Sequence, residues 1–523
     1  MSLPTLLRTE LMTTKLTRRQ IVASIATTGA GAIGGALAGG LTVVQTAKTN
    51  DTDAGRACAH PAMNKLRESV SILDFRCADG SAVNLDSRTQ DHTPALARAV
   101  AAGYEVRVPF GGSLNLAGAA LPPSRTLVGT REVFTLRALN QTGDVLTVQS
   151  GATVANASFT SPDNKTARTG GSYIVFPPNT SRQLLEDVKM SKGYKGLTTS
   201  ASTVVARGLF FFEMDNAAAC VDILAGLAVY FDNPQAYHNP AMRPLANFRI
   251  YSCGDVDISR GNLCNAMHQV LLVPSSGQEI DSLKIRGSYL DSGVNGLTAQ
   301  PGSGGVIARS RIEHSWTSGH TNNGATLDTV TGGGKINGFV ILEHEALGNA
   351  GDGIALRGAK DVVVEGGQLA GNGGSGFSAA NGASGFKLAG KIIAGPYGGF
   401  GPNGYPVHID GTCSGYTIEC AVDMRSNTND PVIAGRADRI DNPLGYRTEA
   451  RGTVTAIPDS SGVVTVTHGL ARAPATWSGT SYAVAALIVP TGSPTAATFQ
   501  LKVCNPDGTP RTSQLSLYWH AQI

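Results

Sequence analysis

An internal repeat constrains the fold of this chain more than any other feature of its sequence. The segment FVILEHEALGNAGDGI (339–354) aligns without a gap with VVVEGGQLAGNGGSGF (362–377). The alignment matches four pairs of turn residues: Gly348 with Gly371, Asn349 with Asn372, Gly351 with Gly374, and Gly353 with Gly376. Related segments, SGFKLAG and SGYTIEC, begin at 384 and 414. Repeats of about 23 to 30 residues that close in Gly and Asn bends predict the coils of a parallel β-helix.

Composition favours many short strands joined by tight turns over a helical bundle. Glycine supplies 64 of the 523 residues, and only 15% of the residues are charged. The formal net charge of +3 is carried by the N-terminal leader, so the rest of the chain is near neutral. Nucleic-acid binding depends on a basic surface, and the sequence therefore gives it no support.

The eight cysteines form no recognisable framework. They stand at positions 58, 77, 220, 253, 264, 413, 420 and 504, without a Cys-x-x-Cys pair or a zinc-type His/Cys cluster. We expect them to be small buried hydrophobic residues, and we expect neither a metal site nor a cofactor. A disulfide between Cys413 and Cys420 is the alternative if the chain is exported.

Residues 1–45 are predicted to form a leader or anchoring segment. Paired Arg18 and Arg19 precede a Gly- and Ala-rich stretch, which resembles a twin-arginine export signal. The alternative is an N-terminal anchoring helix whose small residues pack against copies of itself or a partner. Both interpretations stay open, and a polar linker (46–64) follows.

The sequence of residues 65–130 predicts the first strands of the β-helix and the helix that caps it. A strand and a polar loop precede a short helix, Thr93 to Ala102, with Thr93 as an N-cap-like residue and Pro94 at the first helical position. Two turn-plus-strand segments follow, VRVPFGG and LPPSRTLVGT. This order and these motifs resemble the pectate-lyase-like right-handed parallel β-helix superfamily. The matching residues are Leu73 to Phe75, Ala95 to Ala99, Val108, Pro109, Gly111, Leu121, Pro122, Leu127 and Gly129.

Residues 441–523 predict a small antiparallel β-sandwich. Alternating apolar residues at Val454 and Ala456, and again at Val464 and Val466, are followed by the closing strand LSLYW. The segment resembles the terminal domain of phage tail spikes and fibres, which implies a trimerisation or binding domain. The predicted fold class is therefore all-β: a right-handed parallel β-helix, with its main body at 131–440, a short N-terminal helix cap and a C-terminal β-sandwich.

A repeated Glu-His pair marks the first candidate site. RIEHSWTSGH contains Glu313 and His314, and ILEHEALGN contains Glu343 and His344, so the same interval separates the two glutamates and the two histidines. With Ile312 and Leu342 facing inward, Glu313 and Glu343 would stack on consecutive coils and face outward, with Glu345 on the same face. The predicted column is Arg286, Glu313, Glu343 and Gly366.

Two stacked carboxylates suit glycoside cleavage, because one holds its proton while the other stays ionised. Arg286, Arg311, Trp316 and His344 are candidate substrate-binding residues, and Glu313, Glu343, Glu345 and His314 are candidate catalytic residues. Asp255 and Asp257, on one face around Val256, form a rival catalytic pair. The alternative for the whole column is a charged ladder that only stabilises a solvent-facing sheet, or an inward histidine that satisfies a turn.

The resemblances together imply a phage tail-spike-like protein that binds, and is expected to cleave, a bacterial surface polysaccharide. Hydrolysis and β-elimination both stay open; in elimination, His314 or His344 would act with Arg286 or Arg311 on a uronate. The implied assembly is a homotrimer in the virion tail, attached to phage tail or baseplate proteins through its N-terminus. The alternatives are a bacterial β-helix protein exported by the twin-arginine route to the periplasm or cell surface, and a receptor-binding virion fibre without enzymatic activity.

Overall fold

The computed structural model describes residues 69–109, 111–129, 134–481 and 485–523. The predicted leader (1–45) and linker (46–64) lie outside the described residues. The described chain winds into a parallel β-solenoid of stacked coils, and its C-terminal part forms antiparallel sheets. The predicted all-β fold class is confirmed.

Each coil of the β-helix contributes strands to three parallel ladders. The first ladder contains Ser69–Ser71, Glu105–Val108, Thr126–Gly129, Thr153–Ala155, Gln183–Glu186, Thr203–Arg207, Ala228–Asp232, Val256–Ser259, Leu283–Arg286, Arg311–Glu313, Val340–Leu347, Val363–Ala370, Lys387–Ile393, Ser414–Ile418 and Arg436–Ile440. The second ladder contains Ser113–Leu116, Phe134–Ala138, Ala157–Thr160, Lys189–Ser191, Phe210–Phe212, Gln235–Tyr237, Asn262–Cys264, Tyr289–Asp291 and Trp316–Ser318, and it continues into the second half of Val340–Leu347.

The third ladder contains Ala119–Leu121, Leu146–Val148, Ser172–Phe176, Lys195–Thr199, Ala219–Ile223, Ala246–Ile250, His268–Leu272, Asn295–Ala299, Ala325–Asp328, Ile354–Arg357, Ser375–Ala380, Tyr405–Ile409 and Val432–Ile433. A short fourth ladder joins Glu279–Asp281, Val306–Ala308 and Lys335–Asn337.

The helix Thr93–Ala102 packs at the N-terminal end of the β-helix. Its apolar face buries Ala95, Leu96, Ala99 and Val100 against the first coils, and a one-turn 3₁₀ helix, Ile72–Asp74, lies beside it. The predicted helix is confirmed, with Pro94 in its first turn. Thr93 is not the N-cap, however, because His92 holds that position and Thr93 already belongs to the helix.

Inward residues stack from coil to coil and form one continuous core. Ile312 lies in register with Ile341, and both are fully buried. At the turn between the second and third ladders, buried asparagine side chains continue the stack. The Nδ2 of Asn349 donates to the Oδ1 of Asn372 at 2.9 Å, and Asn372 donates in the same way to Asn403 at 2.9 Å. The predicted stacking of Asn349 and Asn372 on adjacent coils is thus confirmed.

Two three-stranded antiparallel sheets form the C-terminal module. One contains Glu449–Ala456, Thr476–Ser481 and Leu515–Gln522, and the other contains Val463–Thr467, Leu487–Thr491 and Thr498–Cys504. Phe499, Leu501, Leu517 and Trp519 belong to the hydrophobic core that the sheets share. The predicted antiparallel architecture is confirmed.

The described cysteines are unpaired. Cys413 is buried and Cys420 is exposed, and both are free thiols, so the alternative of a disulfide between them is wrong. No helix in the described part of the chain is both long enough and apolar enough to cross a membrane.

Candidate functional site

The corner between the first and second ladders is formed by one left-handed residue per coil. Gly287, His314, Glu343 and Gly366 hold this position on four successive coils, with φ between 45° and 66°. Glycine adopts this conformation without strain, whereas at His314 and at Glu343 the left-handed conformation costs about 1 kcal/mol or more. Asn156, Asp187, Asn233 and Arg260 hold the equivalent position on earlier coils with φ between 50° and 57°, so the left-handed conformation belongs to the corner as a whole.

The register of the strands corrects the predicted glutamate column. Glu313 pairs with Leu342 and Trp316 with Glu345, so this coil is one position shorter than the repeated Glu-His pair indicates. Leu342 faces outward, in contrast to the prediction, because Ile341 takes the inward position above Ile312. The strand-end column reads Arg286, Glu313, Leu342 and Glu365, and Glu343 stands in the corner column above His314.

Two adjoining pockets lie along this corner, and we refer to them together as the corner groove. The first, about 360 Å³, is lined by Gly287, Ser288, Tyr289, His314, Ser315, Trp316, Glu343 and Glu345. The second, about 630 Å³, is lined by Asp232, Ser259, Arg260, Arg286, Gly287, Glu313 and His314. Gly287 and His314 belong to both pockets, so the groove is continuous across the corner.

The carboxylates of Glu343 and Glu345 have no ion-pair or hydrogen-bond partner among the described residues. Both side chains line the first pocket, with Glu343 exposed and Glu345 half-buried. The carboxylate of Glu343 extends over Gly366 of the next coil, where a Cβ atom would collide with it. Glycine at this position therefore makes room for the Glu343 carboxylate.

The other predicted acids are all held by cations on strands of the first ladder. Lys284 Nζ lies 3.1 Å from Asp255, and the guanidinium of Arg286 binds Asp257 through two nitrogens, with Nε at 3.2 Å. Glu313 lies 3.3 Å from Arg311 Nε and 4.0 Å from Arg286 Nε. Asp255, Asp257 and Glu313 thus form the charged ladder that the sequence left open as the alternative.

An aromatic surface borders the unpaired carboxylates. Tyr289 is 54% exposed, and its ring centroid lies 5.9 Å from that of Trp316. Phe400 packs edge-on against Trp316 at 6.5 Å. The Nε1 of Trp316 is buried, and no described residue offers it a hydrogen bond. Aromatic faces beside carboxylates are the usual components of a sugar-binding cleft, because sugar rings present apolar C–H faces.

His344 does not face the groove. It is 1% exposed and occupies the inward position that Ser315 holds on the preceding coil, where its Nε2 lies 3.0 Å from the Thr317 hydroxyl. Burial lowers the pKa of His344 to about 4. The predicted contact of His344 with substrate is wrong, because the strand turns its imidazole into the core.

The corner groove thus gathers six predicted residues: His314, Trp316, Glu343, Glu345, Arg286 and Glu313. Asp255, Asp257 and Arg311 lie in the ion pairs beside it. Sequence reasoning missed Tyr289, although it precedes Trp316 by one coil and pairs with it directly.

A larger pocket, about 810 Å³, lies between the last coils and the C-terminal sheets. Its lining includes Asp430, Arg447, Glu449 and Arg451. Glu449 is bound by His520 at 2.8 Å, and this lining lacks an exposed aromatic ring beside a pair of free acids. The corner groove is therefore the better candidate for chemistry. No cluster of three or more His, Cys, Asp or Glu side chains suited to a metal ion occurs within the described ranges.

Solved structures with the same fold include tailspike proteins. A double mutant of the tailspike protein of E. coli bacteriophage HK620, in complex with a pentasaccharide, is 11% identical, with a TM-score of 0.52 over 92% of this chain and 100% of that one. A further mutant of that protein, in complex with a hexasaccharide, is 11% identical, with a TM-score of 0.51 over 92% and 99% of the two chains. No family model and no curated protein matches the sequence. At this identity the likeness establishes the fold.

Proposed function

We propose that the corner groove binds a bacterial surface polysaccharide and hydrolyses it. The observation that carries the proposal is the pair of carboxylates of Glu343 and Glu345, which lie beside the rings of Tyr289 and Trp316 and pair with no cation of the described ranges. The shared fold with tailspike proteins that were solved with bound oligosaccharides supports a glycan as the ligand.

Hydrolysis suits the groove better than β-elimination. An eliminating enzyme needs a cation that neutralises the uronate carboxylate, but the first pocket is lined by neither Lys nor Arg. In the second pocket, Arg260 is engaged with Asp232 and Arg286 with Asp257. The neighbouring Arg311 is engaged with Glu313. In hydrolysis, one carboxyl group donates its proton to the glycosidic oxygen as the C–O bond breaks. The other acts either as the base that deprotonates the attacking water or as the nucleophile.

The experiment is incubation of the purified protein with a panel of bacterial O-chains and capsules. Hydrolysis predicts a fall in polymer size and one new reducing end per cleavage, without the ultraviolet absorbance of an unsaturated sugar. Absorbing ends would contradict hydrolysis in favour of elimination. Tight binding without any fragment would contradict cleavage and favour a receptor-binding spike.

We further propose that the protein is a homotrimeric tail component of a virion, attached to phage tail or baseplate proteins through its N-terminal residues. The fold shared with tailspike proteins supports this assembly. The C-terminal sheets also expose Leu487 (57%), Val489 (44%) and Tyr518 (43%), which a subunit contact would cover. Light scattering should give three times the chain mass of 54.0 kDa, whereas a stable monomer would contradict the assembly.

A further inference from the structure

A column of outward side chains connects the corner groove to an earlier part of the second ladder. The strands pair Phe210 with Gln235, Gln235 with Asn262, Asn262 with Tyr289, and Tyr289 with Trp316. The inward residues between these positions, such as Phe211 and Leu263, are fully buried, so the column faces outward. Trp316 pairs in turn with Glu345. Four coil spacings of about 4.8 Å separate Phe210 from Trp316, a distance of about 19 Å.

This strip, which we define as the outward residues of the second ladder from Phe210 to Trp316, is nearly free of charge. The second outward position of the same strands is held by Phe212, Tyr237, Cys264, Asp291 and Ser318. Burial raises the pKa of Cys264 to about 11, so that thiol is neutral. Asp291 is the single carboxylate of the strip, and it accepts a hydrogen bond from Ser318 at 2.7 Å.

The neighbouring first ladder differs sharply in chemistry. Its outward face on the same coils carries Asp255 with Lys284, and Asp257 with Arg286. At the corner, Arg260 binds Asp232, with its Nε at 2.9 Å. These charges neutralise one another, so they offer neither a free cation nor a free anion to a ligand on the strip.

A second aromatic cluster lies at the far end of the strip. Phe212 is 42% exposed and its ring is stacked with that of Phe210 at 6.5 Å. Tyr237 lies 5.9 Å from Phe210, and its hydroxyl accepts a hydrogen bond from Asn262 Nδ2 at 2.6 Å. The Asn262 amide therefore fixes the Tyr237 ring between this cluster and the Tyr289–Trp316 pair.

We infer that the strip is an extended glycan-binding track and that Phe210, Phe212 and Tyr237 form a distal subsite for an uncharged stretch of the polysaccharide. This inference rests on the proposed function of the corner groove. Apolar sugar faces pack on the aromatic rings at both ends, and Gln235 and Asn262 between them can hydrogen-bond sugar hydroxyl or acetamido groups. The glycan runs parallel to the solenoid axis, from the cleavage point towards the N-terminal coils.

The test compares Phe212→Ala with the matched control Tyr104→Ala, which removes an exposed aromatic side chain (61%) that follows the helix Thr93–Ala102 and lies outside the strip. The probes are the polysaccharide that the wild-type protein cleaves and its own size-fractionated digestion fragments. Loss of an aromatic anchor is expected to weaken binding of long fragments at least about tenfold. Binding of the shortest fragments that still bind should stay unchanged, because they occupy only the corner groove.

Two results would overturn the inference while leaving the proposed function intact: equal loss of affinity for long and short fragments, or wild-type affinity of Phe212→Ala for both. Preference of the wild-type strip for fragments with uronate in the distal sugars would also overturn it. If the wild-type protein cleaves no polysaccharide of the panel, the proposed function fails and the distal subsite fails with it. An unchanged unfolding temperature of Phe212→Ala excludes misfolding as the cause.

Discussion

Replacing Glu343 by glutamine is expected to lower the rate of polysaccharide cleavage by at least about 100-fold, the usual scale for loss of an acid or base. The amide is nearly isosteric, and the exposed carboxylate has no ion-pair partner among the described residues to lose. The unfolding temperature should therefore stay within about 1 °C of the wild-type value, because surface changes of this kind cost little. Glu345→Gln should act similarly. Initial rates of reducing-end release measure the effect.

Glu365→Gln is the matched control, because Glu365 is an exposed glutamate on the next coil and does not line the corner groove. Its cleavage rate should equal that of the wild type. The rival assignment is tested by Asp255→Asn combined with Asp257→Asn. If this double variant stops cleavage while Glu343→Gln and Glu345→Gln remain active, the assignment of the catalytic pair is wrong.

Acidification is expected to destabilise the folded protein strongly between pH 6.5 and about 4. Burial lowers the pKa of His238, His320 and His344 from 6.5 to about 4. Between pH 6.5 and about 4, these histidines are protonated in the unfolded chain but neutral in the folded chain. The free energy of unfolding is therefore greatest above pH 6.5 and falls as the pH decreases. The difference between the two pKa values corresponds to a loss of about 3 kcal/mol in the free energy of unfolding for each histidine. Unfolding temperatures at pH 7.5 and pH 4.5 measure the loss.

His344→Leu separates this effect from general acid sensitivity. Among the described residues, the Nδ1 of His344 has no hydrogen-bond partner and its Nε2 contacts the Thr317 hydroxyl. Leucine should therefore fit with a small cost at pH 7.5 and reduce the loss at pH 4.5. His320→Leu should be destabilising at both pH values, because it leaves the Gly293 N–H without its acceptor. An identical pH dependence of the wild type and His344→Leu would refute the role of the buried imidazole.

The sequence was sufficient to predict the fold because coil repetition leaves a local mark. Asn349 and Asn372 occupy one buried position on adjacent coils, where each amide satisfies its neighbour, so the repeat is visible as a matched pair in the sequence. The capping helix was likewise readable, since Pro94 in its first turn is a local feature. Each of these features depends on the chain within one or two coils.

The candidate site was harder to predict from the sequence, because a one-residue error in strand register turns a side chain to the other face of the sheet. The repeated Glu-His pair suggested that Glu343 stacks on Glu313, but burial of Ile312 and Ile341 places Leu342 there instead. That shift places Glu343 in the corner beside His314 and sends His344 into the core. Ion pairing across coils was also invisible, because it depends on which strands are neighbours.

The position of a bound oligosaccharide tests the central claim most directly. A crystal structure of the Glu343→Gln protein, with the longest fragment that the wild-type protein releases, should show sugar rings on Tyr289 and Trp316. A glycosidic oxygen should lie within hydrogen-bond distance of residue 343 or Glu345. The account is contradicted if the oligosaccharide occupies the pocket beside Arg447 and Arg451, or any other face, and leaves the corner groove empty.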